Sequence, residues 1–254
     1  MNAVKQFLIM VALLSAAACT KPGVDGPQDP ATSEQGIVQG RVVDEQGKGV
    51  ANAEIIANST DYHNKTTTGY TDARGNYRFK LPTGIAEGSY TVSGSLTVKY
   101  HSKNYKMALY QEDTRVFSAY DGAVRNFVFR LTGKRTVDDD ATSTPLGGTL
   151  EIYHDVNNVV FENIELTLEP DGPLVDGRAG KKIVLMMPKG DYHLKDIPIG
   201  KYKISARDTV TGQPLGVSIQ DSSKDYAPSV TGLFEDEDFV GSEHFRLGLL
   251  VGVL

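Results

Sequence analysis

Gly75-Asn-Tyr-Arg-Phe-Lys80 returns later in the chain as Gly190-Asp-Tyr-His-Leu-Lys195. A second pair follows in the same order, Gly88-Ser-Tyr-Thr-Val-Ser93 after the first and Gly200-Lys-Tyr-Lys-Ile-Ser205 after the second. In each segment a glycine able to close a turn leads into alternating apolar and polar residues, the period of a strand with one buried face. Each half also opens with a glycine at a short apolar run, Gly40 within 37–43 and Gly148 before 149–153. Two segments recurring in the same order mark an internal repeat of one β-module.

Working outward, the texture is the same. Residues 164–169 (IELTLE) and 202–206 (YKISA) alternate, and Phe127, Phe129 and Leu131 repeat every second position. Turn signals stand at Asp44–Gly47, Asp72–Gly75, Pro188–Asp191 and Thr211–Gly212, each with a glycine, and three of them with an aspartate able to bond nearby backbone N–H groups. Helical periodicity is nearly absent. The pattern predicts an all-β protein of two β-sandwiches, spanning 36–133 and 145–254. Residues 134–144, with Asp138, Asp139 and Asp140, are expected to form a solvated linker.

Gly40-Arg-Val-Val-Asp44, Gly47, Val50, Ala53, Thr71-Asp-Ala-Arg-Gly-Asn-Tyr-Arg-Phe79 and Gly88-Ser-Tyr-Thr-Val92 together resemble the carboxypeptidase regulatory-like domain. The resemblance implies a transthyretin-like, immunoglobulin-like β-sandwich of the carbohydrate-binding-like fold over 37 to about 98, with 124–131 as the closing strand. Two positions depart from the family: Gly49 stands where it usually has proline, and Asn52 where it has glycine. Residues 146–207 resemble the same fold through the Gly-x-Tyr segments alone. Tyr77, Tyr90 and Tyr202 are expected to build core, with the hydroxyls of Tyr90 and Tyr202 at its rim.

The amino terminus carries an address. Residues 7–18 are uncharged and apolar, and 12 residues are too few to cross a bilayer, which takes about 20 as a helix. The run reads as the apolar region of a signal peptide. Leu14-Ser-Ala-Ala-Ala-Cys19 resembles the lipobox of bacterial lipoproteins, Bacteroidota-type in its setting. That resemblance implies a signal peptide at 1–18 and a diacylglyceryl group on Cys19. More than one acyl chain holds a protein stably on a membrane where a single chain does not. Residues 19–35 hold three prolines and two glycines and are expected to be a flexible tether. The expected location is the cell envelope, at the outer membrane. Cys19 is the single cysteine, so no disulfide is expected.

Composition narrows the function classes. A formal charge of −6 with no basic stripe argues against nucleic acid as a partner. His-Glu-x-x-His, His-x-x-Glu, Gly-x-Ser-x-Gly and a phosphate loop ending in Gly-Lys-Ser/Thr are all missing from the sequence. The five histidines, 63, 101, 154, 193 and 244, fall one at a time in different segments. Asp138–Asp140 and Glu235–Asp238 lack the spaced ligands and turn glycine of a calcium loop. No catalytic residue, metal or cofactor is expected.

Residues 96–120 exceed what the repeat requires. Tyr100, Tyr105 and Tyr110 are interleaved there with Lys99, Lys103 and Lys106; the leading reading is a long hairpin whose tyrosines pack on the sandwich and whose lysines face water, and the rival is a platform that stacks on sugar rings if the aromatics are exposed. The reading is therefore a non-catalytic, membrane-anchored envelope lipoprotein whose partner is an envelope protein. The alternative is a glycan-binding accessory lipoprotein of a polysaccharide uptake system, binding through those tyrosines. The apolar segment 245–254 is expected to be a core strand, with a docking strand as the rival.

Overall fold

The computed structural model describes residues 32–61, 65–82, 88–140, 142–222, 225–236 and 243–254. The signal segment, Cys19, most of the tether and His63 lie outside the described residues.

The first unit contains β1 (Ile37–Asp44), β2 (Glu54–Ser59), β3 (Thr66–Tyr70), β4 (Asn76–Lys80), β5 (Ser89–Tyr100), β6 (Lys103–Ala108), β7 (Tyr110–Gln111), β8 (Phe117–Ser118), β9 (Ala123–Val124) and β10 (Phe127–Phe129). The second contains β11 (Gly148–His154), β12 (Ile164–Pro170), β13 (Ile183–Met186), β14 (His193–Ile197), β15 (Lys201–Asp208), β16 (Pro214–Ile219), β17 (Val230–Leu233), β18 (Glu235–Asp236) and β19 (Phe245–Gly252). A single 3-10 turn, Phe161–Asn163, precedes β12. The described residues are otherwise strands and turns.

The turns form for the reasons their residues give. Asp72 Oδ1 accepts the backbone N–H groups of Arg74 at 2.8 Å and Asn76 at 2.9 Å, and Gly75 takes a φ of +84°. Asp44 does the same for Gln46 and Lys48, with Gly47 at +81°. Such Asx turns fix where each strand ends and which side chains then face inward.

The first unit is a two-sheet sandwich, one sheet ordered β4-β1-β10-β7 and the other β3-β2-β5-β6. In the second unit the hydrogen-bonded path β13-β12-β15-β16-β19-β11-β14 is continuous through the β15–β16 hairpin. The pairings repeat. β1 runs antiparallel to β4 and parallel to β10, as β11 runs antiparallel to β14 and parallel to β19. β2 is flanked by antiparallel β3 and β5, as β12 is by β13 and β15. Two copies of one module are thus present in the topology as well as in the sequence.

Alternation places Val38, Val42, Ile55, Tyr90, Val92 and Phe127 in the first core, and Leu150, Ile152, Leu166, Leu168, Tyr202, Ile204 and Leu249 in the second. Each fully buried aliphatic or aromatic side chain is worth about 1.5–3 kcal/mol. Tyr202 is buried, and its hydroxyl donates to Pro198 O at 2.8 Å. The buried residues of both units form one contiguous cluster.

Two expectations gain detail. The linker is largely exposed, with Asp138 and Asp140 in solvent, but its two ends are tied together: Leu146 N–H donates to Gly133 O at 2.8 Å, and the Asp196 carboxylate accepts from Gly133 N at 2.7 Å and Gly147 N at 3.2 Å. Asp196 reaches both because it sits at a φ of +65° where the β11–β14 register shifts, a conformation Asp tolerates better than most residues. Inside the loop Asp139 accepts from Arg135 N, Thr136 N and Thr136 Oγ1. Burial opposes its ionisation, but these bonds and the Arg135 charge outweigh that and lower its pKa. At the carboxyl end, β19 lies between β11 on one side and β16 and β18 on the other. With both edges paired it is a central core strand, which removes the docking-strand reading.

Candidate interaction surfaces

β2 pairs with β5 only as far as Ser95. Beyond it, β5 and β6 continue as a two-stranded arm from Leu96↔Met107 to Tyr100↔Lys103, closed by His101 and Ser102 at φ +44° and +64°. The arm carries Tyr100 and Tyr105, two of the three tyrosines of the sugar-binding alternative. It reaches the second unit instead.

Tyr100 is 9% exposed and Tyr105 2%. The Tyr100 hydroxyl donates to Pro173 O at 2.8 Å and accepts from Lys201 N–H at 3.0 Å. Tyr105 donates to Phe234 O at 2.7 Å, with its ring 5.3 Å from that of Phe245 and 5.8 Å from that of Tyr100. Burial raises the pKa of both phenols, so they stay protonated as donors. Lysines at the rim add ion pairs, Lys103 to Glu235 at 2.5 Å and Lys106 to Glu243 at 3.5 Å. Exposed pairs of this kind add only fractions of a kcal/mol; the buried aromatics carry the joint.

Tyr110 does not join them. It is half-buried in β7, with the Arg130 guanidinium 3.8 Å from its ring centroid. The three tyrosines therefore offer no shared concave face. The alternative of a stacking platform is removed for a physical reason: a ring packed between two sandwiches has no face left for a sugar.

The joint has two further clasps that sequence reading missed. Arg178 pairs with Glu45 at 2.6 Å across the units and with Asp176 beside it. Arg135 bonds the carbonyls of Thr144, Pro145 and Glu243. Neither has a local sequence signal, because their partners are far along the chain.

Two clefts open on the surface. One, of about 270 Å³, lies at the joint between Glu45, Val50, Leu96, Phe129 and Arg178. The other, of about 370 Å³, lies on the second unit between Gln220, Asp221, Thr231, Glu235 and Arg246. Arg246 is held by Glu151 at 2.9 Å, and Glu235 by Lys103. Among the described residues no three His, Cys, Asp or Glu side chains come together as a metal site. Described histidines stay apart: His101 packs on Tyr100, His154 on Phe161, and His193 bonds Asp191.

An open edge completes the surface. β13 ends the sheet path of the second unit, with Val184 and Met186 about half exposed. The distal end of that unit adds Val156, Val160, Tyr192 and Val210, all more than half exposed.

No curated protein matches the chain. Among solved structures, the Bacillus anthracis TIE protein is similar at 16% identity and a TM-score of 0.35, over 87% of this chain and 34% of that one. This chain thus spans about a third of that protein's length. A single B repeat unit of the collagen-binding surface protein of Staphylococcus aureus shows 13% identity and a TM-score of 0.24, over 87% of this chain and 98% of that one. A DUF3823 family protein from Bacteroides ovatus shows 13% identity and a TM-score of 0.25, over 78% and 98%. The segment-level resemblance in the first half has its counterpart here: residues 37–118 match the family model of the carboxypeptidase regulatory-like domain.

Proposed function

We propose that the protein is a non-catalytic, lipid-anchored envelope lipoprotein serving as a structural or protein-interaction module. The observation that carries this reading is the Tyr100–Tyr105 joint. It joins two sandwiches end to end through buried rings and backbone-bonded hydroxyls, so that the pair can act as one stiff spacer. The chain enters the first unit at Gly36, whose N–H bonds Tyr120 O, and β1 runs from there toward Glu45 at the joint. A tether ending at Gly36 would hold the first unit next to the bilayer and direct the second away from it. The outer membrane is the proposed site, with an envelope protein as partner.

The test is cell fractionation of the wild type and Cys19→Ala, with metabolic labelling by an alkyne fatty acid. The wild type is expected in the membrane fraction with label, and the variant soluble without it. Membrane retention of an unlabelled variant would overturn the anchoring.

A further inference from the structure

β13 and β3 hold the same place in the two units, the outermost strand beside β12 and β2 respectively. Their sequences differ in kind. β3 reads Thr-Thr-Thr-Gly-Tyr and β13 reads Ile-Val-Leu-Met. β3 is also covered, since Phe79 of β4 packs so close over Gly69 that a Cβ there would lie 2.3 Å from its ring. Among the described residues no strand pairs with the outer edge of β13. Ile183 and Leu185 lean on the core, while Val184 and Met186 stand 51% and 48% exposed on the other face. Native edges are normally blunted by charge, proline or cover, because unpaired N–H and C=O groups invite another strand. β13 is apolar on both faces, and its guards lie outside it: Lys181 and Lys182 before, Pro188 and Lys189 after, with the three lysines exposed and Lys182 also reaching Glu169 of β12 at 3.3 Å.

Those flanks choose the occupant. A second copy pairing antiparallel about a two-fold axis would set Lys181 and Lys182 against Pro188 and Lys189 of its mate, placing like charges together and removing a donor. A strand with acidic ends meets lysines at both ends instead.

We propose that the open edge of β13 receives an extended segment of a partner protein, apolar at alternate positions beside Val184 and Met186 and acidic at its ends toward Lys181, Lys182 and Lys189. Strand addition of this type takes affinity from main-chain hydrogen bonds and specificity from alternate side chains and end charges. The inference gives a site to the interaction-module reading but does not depend on the lipid anchor.

The test uses the full chain in detergent and a fluorescent peptide, Asp-Glu-Val-Thr-Val-Thr-Val-Glu-Asp, with a twin carrying Lys at each acidic position. Anisotropy is expected to show saturable binding of the acidic peptide and at least about tenfold weaker binding of the twin. Hydrogen exchange should slow at 183–186. The V184K/M186K double variant should lose binding while keeping the wild-type thermal midpoint, and Thr67→Lys on β3 should change neither. Equal affinity for the twin, absence of saturable binding, or a concentration-dependent dimer abolished by V184K/M186K would each overturn the proposal, the last by showing a second copy in the edge. Soluble Cys19→Ala protein that still binds the peptide would separate this site from the anchoring.

Discussion

Tyr77 and Tyr192 occupy the same place in the two repeated segments, yet one is core and the other is surface. Tyr77 is 4% exposed and its hydroxyl donates to Arg125 O at 2.6 Å, whereas Tyr192 is 52% exposed and packs its ring at the distal end against Phe161, 4.6 Å away. The difference lies in the neighbouring strand. Tyr77 pairs with Gly40 across β1, and a Cβ on Gly40 would lie 1.8 Å from Arg125 O and 2.9 Å from the Tyr77 hydroxyl. In the second unit the position facing Tyr192 is Ile152, whose N–H bonds Tyr192 O at 2.9 Å and whose side chain is itself fully buried. An absent side chain in one repeat makes room for the ring; a branched one in the other fills that room and turns the ring outward. Similar local segments thus acquire opposite fates in different strand surroundings.

The largest expected effect breaks the first half of that comparison. Gly40→Ile places a branched side chain into a backbone carbonyl that cannot rotate away, and should cost roughly 4 kcal/mol or prevent folding; urea denaturation or loss of soluble protein reads it. Next, Tyr77→Ala should cost about 3–5 kcal/mol, against under about 1 kcal/mol for Tyr192→Ala. Equal costs in chemical denaturation would show that the two tyrosines are not divided as the geometry has them.

A third variant bears on the joint, where only the first unit carries an arm. Tyr105→Phe leaves Phe234 O buried without its donor and should cost about 1–2 kcal/mol. Because that bond crosses between the units, calorimetry is expected to show one unfolding transition for the wild type and a broadened or split one for the variant.

The smallest effect depends on pH and is confined to the first unit. Asp113 is held down to about 2, chiefly by the Arg115 side-chain hydrogen bond and against the desolvation that opposes it, with help from Arg115 N–H and the Arg125 charge. A carboxyl whose folded pKa lies below its unfolded value stabilises the fold fully above about pH 4, and that stability is lost as pH falls toward about 2. Screening by solvent limits the contribution to about 1 kcal/mol. Asp113→Asn should flatten the acid limb of the stability profile by that amount; an unchanged limb would remove Asp113 from it.

Much of the architecture was legible in the residues. Glycines and aspartates marked the turns because only certain residues tolerate or bond those backbone conformations, and both are local properties. The period-two pattern at Phe127, Phe129 and Leu131 located a core strand, and all three are buried. The surplus of 96–120 was equally visible. That its tyrosines would pack was readable, but not that they pack on the second unit, since a row of tyrosines and lysines looks alike whichever surface it faces. Of the acidic run, Asp138 and Asp140 are exposed as a solvated linker requires, while nothing local announced that Asp139 closes a turn around Thr136. The edge at β13 was hidden because a short apolar run reads as buried until its neighbours are known.

What the sequence determined by itself is the β period, the turns, the repetition of a module and, through the setting of Cys19, the expectation of an anchored protein. These depend on interactions within a few residues, or on a pattern compared with itself. The tertiary structure alone decided that Tyr100 and Tyr105 join two sandwiches, that Asp196 ties both ends of the intervening loop, that Tyr77 is buried while Tyr192 is not, and that β13 stands open. Each of those outcomes depends on which distant strand supplies or withholds volume and hydrogen-bond partners, and that is settled only when the sheets close around their cores.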